Sequence, residues 1–297
     1  MTMAIPAPSV SSRADPVATV AIVVTIFAWA SAFPAIRAGL AAFGPMELGA
    51  VRFAIAAIPA AIFLVVTRPA LPARGELWSF GAGGIGFVAL YTALLNFGEL
   101  TVSAGAASFI INVSPILTAI FAVAVLGERF SRLAWAGTLL SFGGIGIIAL
   151  GEGEGLRFNT GALLILGAAF CTAANAIAQK PLFARHKPLT VAAWNMVIGA
   201  LVLAPFLPAG IEQAAVASTE GFWAAVYLGI VPSLIAYASW AVALSRLPAS
   251  RASNFLYCVP PVATLMGVVW LGEVPGVLGI VGGLLALAGV VIVNLRR

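Results

Sequence analysis

"SPILTAIFAVAVLGERFSRLAW" occupies residues 114–135, and "VPPVATLMGVVWLGEVPGVLGI" occupies residues 259–280. Each places a proline eleven residues before a Leu-Gly-Glu tripeptide, Pro115 before Leu126 and Pro260 before Leu271. The whole of 101–150 aligns with 246–295 at a single offset of 145, without a gap. Ala104 falls on Ala249, Ser108 on Ser253, Gly137 on Gly282 and Gly144 on Gly289. Two apolar segments share Leu, Val and Ala by chance; sharing proline, glycine and glutamate in one register marks a duplication. The copies differ in charge. Arg129 and Arg132 follow the first glutamate, whereas Val274 and Val277 follow the second.

The composition says where such a duplication lives. Of 297 residues, 62% are hydrophobic and only 8% charged, with a mean hydropathy of +1.10. A soluble domain carries about 25% charged residues, so the chain reads as an integral membrane protein. About 20 mostly apolar residues cross a bilayer as a helix. Ten such spans are read near 17–36, 46–67, 77–98, 101–125, 131–150, 161–183, 190–208, 221–244, 249–270 and 276–295. Residues 1–16 read as a disordered cytoplasmic N-terminus. Residues 17–150 form a first five-helix repeat, 151–160 ("GEGEGLRFNT") an outer polar linker, and 161–295 a second repeat. Arg13 and "ASA" at 30–32 imitate a cleaved leader. "WASAFPAI" (29–36), however, has a counterpart in "FCTAANAI" (170–177), so this segment is read as retained.

Five crossings per copy is an odd number, so the second copy must enter from the opposite side. Lys and Arg concentrate in cytoplasmic loops. With the N-terminus inside, twelve of the fifteen basic residues fall in inner loops, among them Arg129, Arg132, Arg246 and Arg251. Both termini are then cytoplasmic. The charges that distinguish the two Leu-Gly-Glu copies thus mark one inner and one outer loop. The expected fold is all-α: ten transmembrane helices as two inverted five-helix repeats around a central cavity.

Ten spans in two halves, the proline-to-LGE spacing in each half, and the Trp29-Ala30-Ser31 segment together resemble the drug/metabolite transporter superfamily, EamA type. Within it the chain resembles the YddG-like amino-acid exporters. The resemblance implies a basket of helices in the cytoplasmic (inner) membrane of a bacterium, and export of small metabolites. Neutral and hydrophobic amino acids are the leading class. Drugs, or nucleotide-sugars and sugar phosphates, are the alternative cargo within the same superfamily.

A polar side chain in hydrocarbon is costly unless it faces protein or water, so polar stripes along a helix mark an inner face. Span 4 carries Ser108, Asn112 and Pro115; span 9 carries Ser253, Tyr257 and Pro260 at equivalent positions. Span 3 offers Tyr91, Thr92, Asn96 and Glu99, and span 8 offers Ser233, Tyr237 and Trp240. Span 6 offers Thr172, Asn175 and Gln179, span 1 Trp29, Ser31 and Phe33, and span 7 Trp194 and Asn195. Pro34, Pro115, Pro232 and Pro260 interrupt helices and are candidate hinges. Arg52 is the charge inside a span; it can grip a carboxylate, snorkel to the interface or pair with Glu47. Spans 5 and 10 hold almost only Gly and aliphatic residues, and their glycines point to close helix contact rather than a pore.

Other chemistries find little here. Fifteen scattered basic residues make no nucleic-acid patch. One histidine, His186, and two apolar-embedded cysteines, Cys171 and Cys258, offer no metal set, so no metal and no cofactor is expected. The sequence lacks G-x(4)-G-K-[ST], so no ATP hydrolysis is expected. "GAGGIG" (81–86) lies inside span 3 and reads as helix packing rather than a dinucleotide loop. An enzyme acting on lipids needs clustered acids or histidines, and the chain is not read as an enzyme. No acid sits centrally in a span, which favours gradient-driven passage. If a proton is coupled, Glu99 is the candidate. The expected partners are a small-molecule substrate and the lipid bilayer, with a monomer favoured.

Overall fold

The computed structural model of the chain describes residues 15–126, 132–151, 159–246 and 255–294. The described residues contain helices and no strand. Six rods are long and apolar enough to cross a bilayer: Pro16–Leu40, Pro45–Thr67, Arg74–Glu99, Thr160–Ala184, Pro188–Val216 and Thr219–Ala243. Shorter apolar stretches accompany them at Ala104–Thr118, Trp135–Ile148, Leu256–Leu271 and Val277–Gly289. Val65, Val66, Leu139, Leu201 and Val269 stand exposed on the outer faces. On a soluble protein such faces mark interaction or aggregation sites; on a membrane protein they meet lipid.

Proline and glycine punctuate the rods. Asp15 caps α1 (Pro16–Ala30), its Oδ1 accepting from the amides of Val17 and Ala18. A break at Ser31 separates α1 from α2 (Ala32–Leu40). Gly44 and Pro45 then open α3 (Pro45–Thr67). In the third rod, α4 (Leu77–Gly81) passes through a π-helical stretch, Ala82–Leu90, into α5 (Tyr91–Glu99). Next come α6 (Ala104–Ile111) and α7 (Ser114–Leu126). They are separated at Asn112 and Val113 because Pro115 has no amide to offer the carbonyl of Ile111. α8 (Arg132–Gly151) precedes α9 (Thr160–Gln179). α10 (Pro188–Leu203) and α11 (Leu207–Val216) share a rod. α12 (Thr219–Leu228) runs through a second π-helical stretch, Gly229–Ile235, into α13 (Ala236–Arg246). α14 (Val259–Leu271) follows a 3₁₀ turn and ends on Gly272, whose φ of 68° suits glycine. α15 (Val277–Asn294) is the last helix.

The packing pairs have a pattern. α3 lies on α10, α6 on α14, and α8 on α15; α1 packs on α13 and α5 on α9. Exchanging the segments before 151 with those after 159 maps the α3–α10 and α8–α15 pairs onto themselves and α1–α13 onto α9–α5. The two π-helical stretches, and the breaks before Ser114 and Val259, also sit at corresponding places. Glycines let backbones touch where α8 meets α15, with Gly144 beside Gly282 and Ala286, and Gly289 beside Gly137 and Ser141. "GAGGIG" also serves packing: Gly84 abuts Ile198 and the backbone of Gly199 on α10.

Asp15 also joins α1 to α13, its Oδ2 lying 2.9 Å from Nη1 of Arg246. That hydrogen bond, with help from the capped amides, holds the Asp15 carboxyl below its ordinary value of 3.8. A depressed acid stabilises the fold above its unfolded value and loses that contribution as pH falls through its folded value. The melting temperature in detergent should therefore fall as pH drops below 3.8, and Asp15→Asn should flatten that limb. An unchanged acid limb in the variant would refute the linkage.

Candidate functional site

The site is built on a proline. Pro232, in the second π-helical stretch, has no amide for the carbonyl of Leu228. The hydroxyl of Ser233 takes that carbonyl instead, at 2.9 Å. Its oxygen then accepts Nε of Arg52 at 2.7 Å. A helix break in one half thus anchors a cation carried by α3 in the other. Arg52 is 4% exposed, so it does not snorkel, and Ser233 rather than Glu47 is its partner. Its guanidinium carbon stands 5.0 Å from the ring centre of Phe53. Among the described residues no carboxylate bonds to it.

Arg52 lines a narrow cavity of about 90 Å³. Trp29, Phe33, Phe87, Tyr91 and Tyr237 supply aromatic wall, and Asn112, Ser114 and Thr172 supply polar groups. The rings brace one another. Trp29 meets Tyr237 edge-on at 5.9 Å and Trp240 at 5.4 Å, while Phe87 lies 5.3 Å from Tyr91 and 5.6 Å from Tyr237. Asn112 donates through Nδ2 to the Leu256 carbonyl at 3.1 Å, and among the described residues its buried Oδ1 has no donor. The cavity therefore offers a cation, an open carbonyl acceptor and apolar ring faces.

Of the residues picked out from the sequence, Trp29, Phe33, Arg52, Tyr91, Asn112, Pro115, Thr172 and Tyr237 border this cavity. Trp240 supports it from behind Trp29. Others are placed elsewhere. Ser31 accepts from Tyr227 at 2.7 Å and donates to the Ala28 carbonyl; Ser108 donates to the Gly105 carbonyl. Asn96 donates to the Pro45 carbonyl at 2.8 Å, and Thr92 stands beside Gly49. Gln179 and Asn195 converge on Gly83, and Trp194 packs with Phe80, Leu182 and Val191. The buried Asn175 Oδ1 has no partner, and Tyr257 flanks the main core. Ser253 lies outside the described residues. Pro34 stands within α2, just past the break at Ser31, and Pro260 opens α14. Phe87, Ser114 and Leu256 border the cavity without having been singled out. Phe87 was within reach of the sequence, since it stands one helical turn before Tyr91.

The sequence profile of the EamA-like transporter family matches residues 17–150 and again 159–295. The chain belongs to the EamA-like transporter family. It is 40% identical over 279 residues, 93% of each chain, to a protein of Streptantibioticus cattleyicolor described as a probable terminal-alkyne amino-acid exporter. It is 29% identical over 300 residues, 95% of each chain, to a probable amino-acid metabolite efflux pump of Salmonella typhimurium. A crystal structure 22% identical in sequence shares its fold with a TM-score of 0.64, covering 95% of this chain and 98% of that one. The family and these relatives are transporters, not enzymes.

A second recess of this EamA-like chain, about 440 Å³, opens at the far end of α2 and α5 and includes Arg37, Thr101, Thr264 and Glu273 in its lining. Arg37 donates from Nε to Oε1 of Glu273 at 3.0 Å, and from Nη1 to the backbone carbonyl of Glu99 at 2.6 Å. Oε2 of Glu273 accepts the amide of Ala104 at 2.9 Å. One ion pair therefore ties α2, α5, α6 and the loop after α14 together. Nothing in the sequence signals that Arg37 and Glu273 meet across 236 residues. At the opposite end, the single histidine, His186, lies 3.0 Å from Oε2 of Glu76.

Proposed function

We propose that this protein exports small neutral and hydrophobic amino acids from the cytoplasm, by alternating access and without ATP. One observation carries the reading: a buried arginine, held in place by Ser233 and unpaired with any described carboxylate, borders an aromatic cavity. A buried cation without a counter-ion is costly, and a substrate carboxylate, gripped by two parallel hydrogen bonds, supplies one. The open Oδ1 of Asn112 accepts from the substrate ammonium, and the rings of Trp29, Phe87, Tyr91 and Tyr237 take its side chain. The names of the two relatives support the same substrate class. Among the described residues Arg52 is the one cation in the lining, which disfavours nucleotide-sugars and sugar phosphates with their several negative charges.

Two inverted five-helix repeats, 17–150 and 161–295 joined by 151–160, fit the exchangeable packing pairs. In this reading both termini face the cytoplasm of a bacterium and the protein sits in its inner membrane. The Arg37–Glu273 end then faces outward and the Glu76–His186 end inward. Rocking of the halves about Pro34, Pro115, Pro232 and Pro260 exposes the cavity to each side in turn.

Purified protein in liposomes should accelerate saturable counterflow of labelled small neutral amino acids, with no need for ATP. Flux no faster than that of empty liposomes, across a panel running from alanine to phenylalanine, rejects the reading.

A further inference from the structure

Glu99 closes α5 and is 0% exposed, and among the described residues neither of its carboxylate oxygens has a hydrogen-bond partner. Arg37 reaches the same residue, yet it bonds the backbone carbonyl of Glu99 and spends its Nε on Glu273. A guanidinium thus stands beside two carboxylates and holds one. The ionisable groups on the elements around α5 are Arg37 on α2, Glu47 and Arg52 on α3, Cys171 on α9, Glu273 after α14 and Tyr91 on α5 itself. Of these, Arg37, Glu273 and Arg52 act on Glu99 electrostatically.

An anion sealed from water with both oxygens unbonded is costly; a neutral carboxylic acid in the same place is much less so. The closed arrangement therefore suits Glu99 carrying a proton. Without that proton, its best remedy is the guanidinium now on Glu273. The transfer of Arg37 would release the loop after α14 from α2, and with it the mouth of the 440 Å³ recess. Such an element has two discrete arrangements rather than a continuum.

We propose that Glu99 is a proton-binding site that sets an ionic latch at the mouth of this recess. With Glu99 protonated, Arg37 stays on Glu273 and the mouth keeps its present, narrow width, with the Thr264 hydroxyl buried. Loss of the proton draws Arg37 onto Glu99 and the mouth widens. Higher pH opens the latch and lower pH closes it. The device does not depend on which solute passes, so it stands or falls separately from the amino-acid reading.

Accessibility of a recess residue tests the latch in detergent-purified protein without any substrate. Thr264 lines the recess, and Thr264→Cys, with Cys171 and Cys258 replaced by alanine, gives a single thiol there. Its labelling rate by a polar thiol reagent is divided by that of Val216→Cys, an exposed position, so that ionisation of the thiol itself cancels. The ratio should rise with pH by up to about tenfold per pH unit, the limit for one proton. In Glu99→Gln it should stay low and flat, and in Glu273→Gln high and flat. A flat ratio with Glu99 and Glu273 intact overturns the proposal, as does a Glu99→Gln protein that keeps the slope. If Glu99→Gln does not fold, Glu273→Gln decides, and a slope surviving there is equally fatal.

Discussion

Under the proposed export of amino acids, Arg52→Gln should cost this transporter its grip on them while leaving the fold intact. Truncating one partner of a buried, hydrogen-bonded charge pair costs about 2–5 kcal/mol. That is roughly 30-fold to several-thousand-fold in apparent affinity, at 1.4 kcal/mol per decade. Arg52→Lys should recover little of it, because a point charge replaces the planar fork. Ser233→Ala should lose less, about 1–3 kcal/mol, since it removes the acceptor that positions Nε and the donor on the Leu228 carbonyl. The informative comparison is between an amino acid and its carboxamide in counterflow. A guanidinium that binds the carboxylate should discriminate strongly between them, and Arg52→Gln should erase the difference. If the variant weakens acid and amide equally, Arg52 supports the cavity wall and binds nothing.

Proline, glycine and charge carry much of this fold, and all three are visible in a sequence. The break before Ser114 follows from Pro115, and the touching backbones of α8 and α15 follow from glycines that repeat at one offset. Polar side chains were less informative. A serine or asparagine inside an apolar helix satisfies itself either on a nearby carbonyl or on a substrate, and both options give the same stripe. Ser108 and Ser31 took the first course, bonding within their own turns; Asn112 spends its amide on Leu256 and leaves its oxygen open. Arg52 was legible as an unusual charge, but its partner was not. Ser233 lies 181 residues away and becomes an anchor because Pro232 frees a carbonyl beside it. The π-helical turns ahead of Tyr91 and Tyr237 were likewise hidden, since they shift by one residue which face a ring presents.

Gly144→Leu should be among the most damaging substitutions in the α8–α15 seam, while Gly143→Leu and Gly146→Leu on the same helix should be tolerated. A Cβ at Gly144 would stand 2.5 Å from the amide nitrogen of Ala286 and 2.5 Å from the carbonyl oxygen of Gly282, both backbone atoms that have nowhere to retreat. At Gly143 and Gly146 nothing lies within 4 Å. Lipid offers helices no hydrophobic incentive to associate, so close approach of small residues supplies the attraction. Overpacking such a seam costs about 1–3 kcal/mol and sometimes more, with about 2–4 °C of melting temperature per kcal/mol in a chain of this size. A leucine exceeds the methyl that already fails to fit, so Gly144→Leu should melt several degrees lower and yield less folded protein. Gly289→Leu should behave alike, because its Cβ would meet Ser141 N at 2.5 Å. Equal melting of the Gly143 and Gly144 variants would mean that backbone contact does not hold α8 to α15. The repeated glycines would then need a reason other than packing.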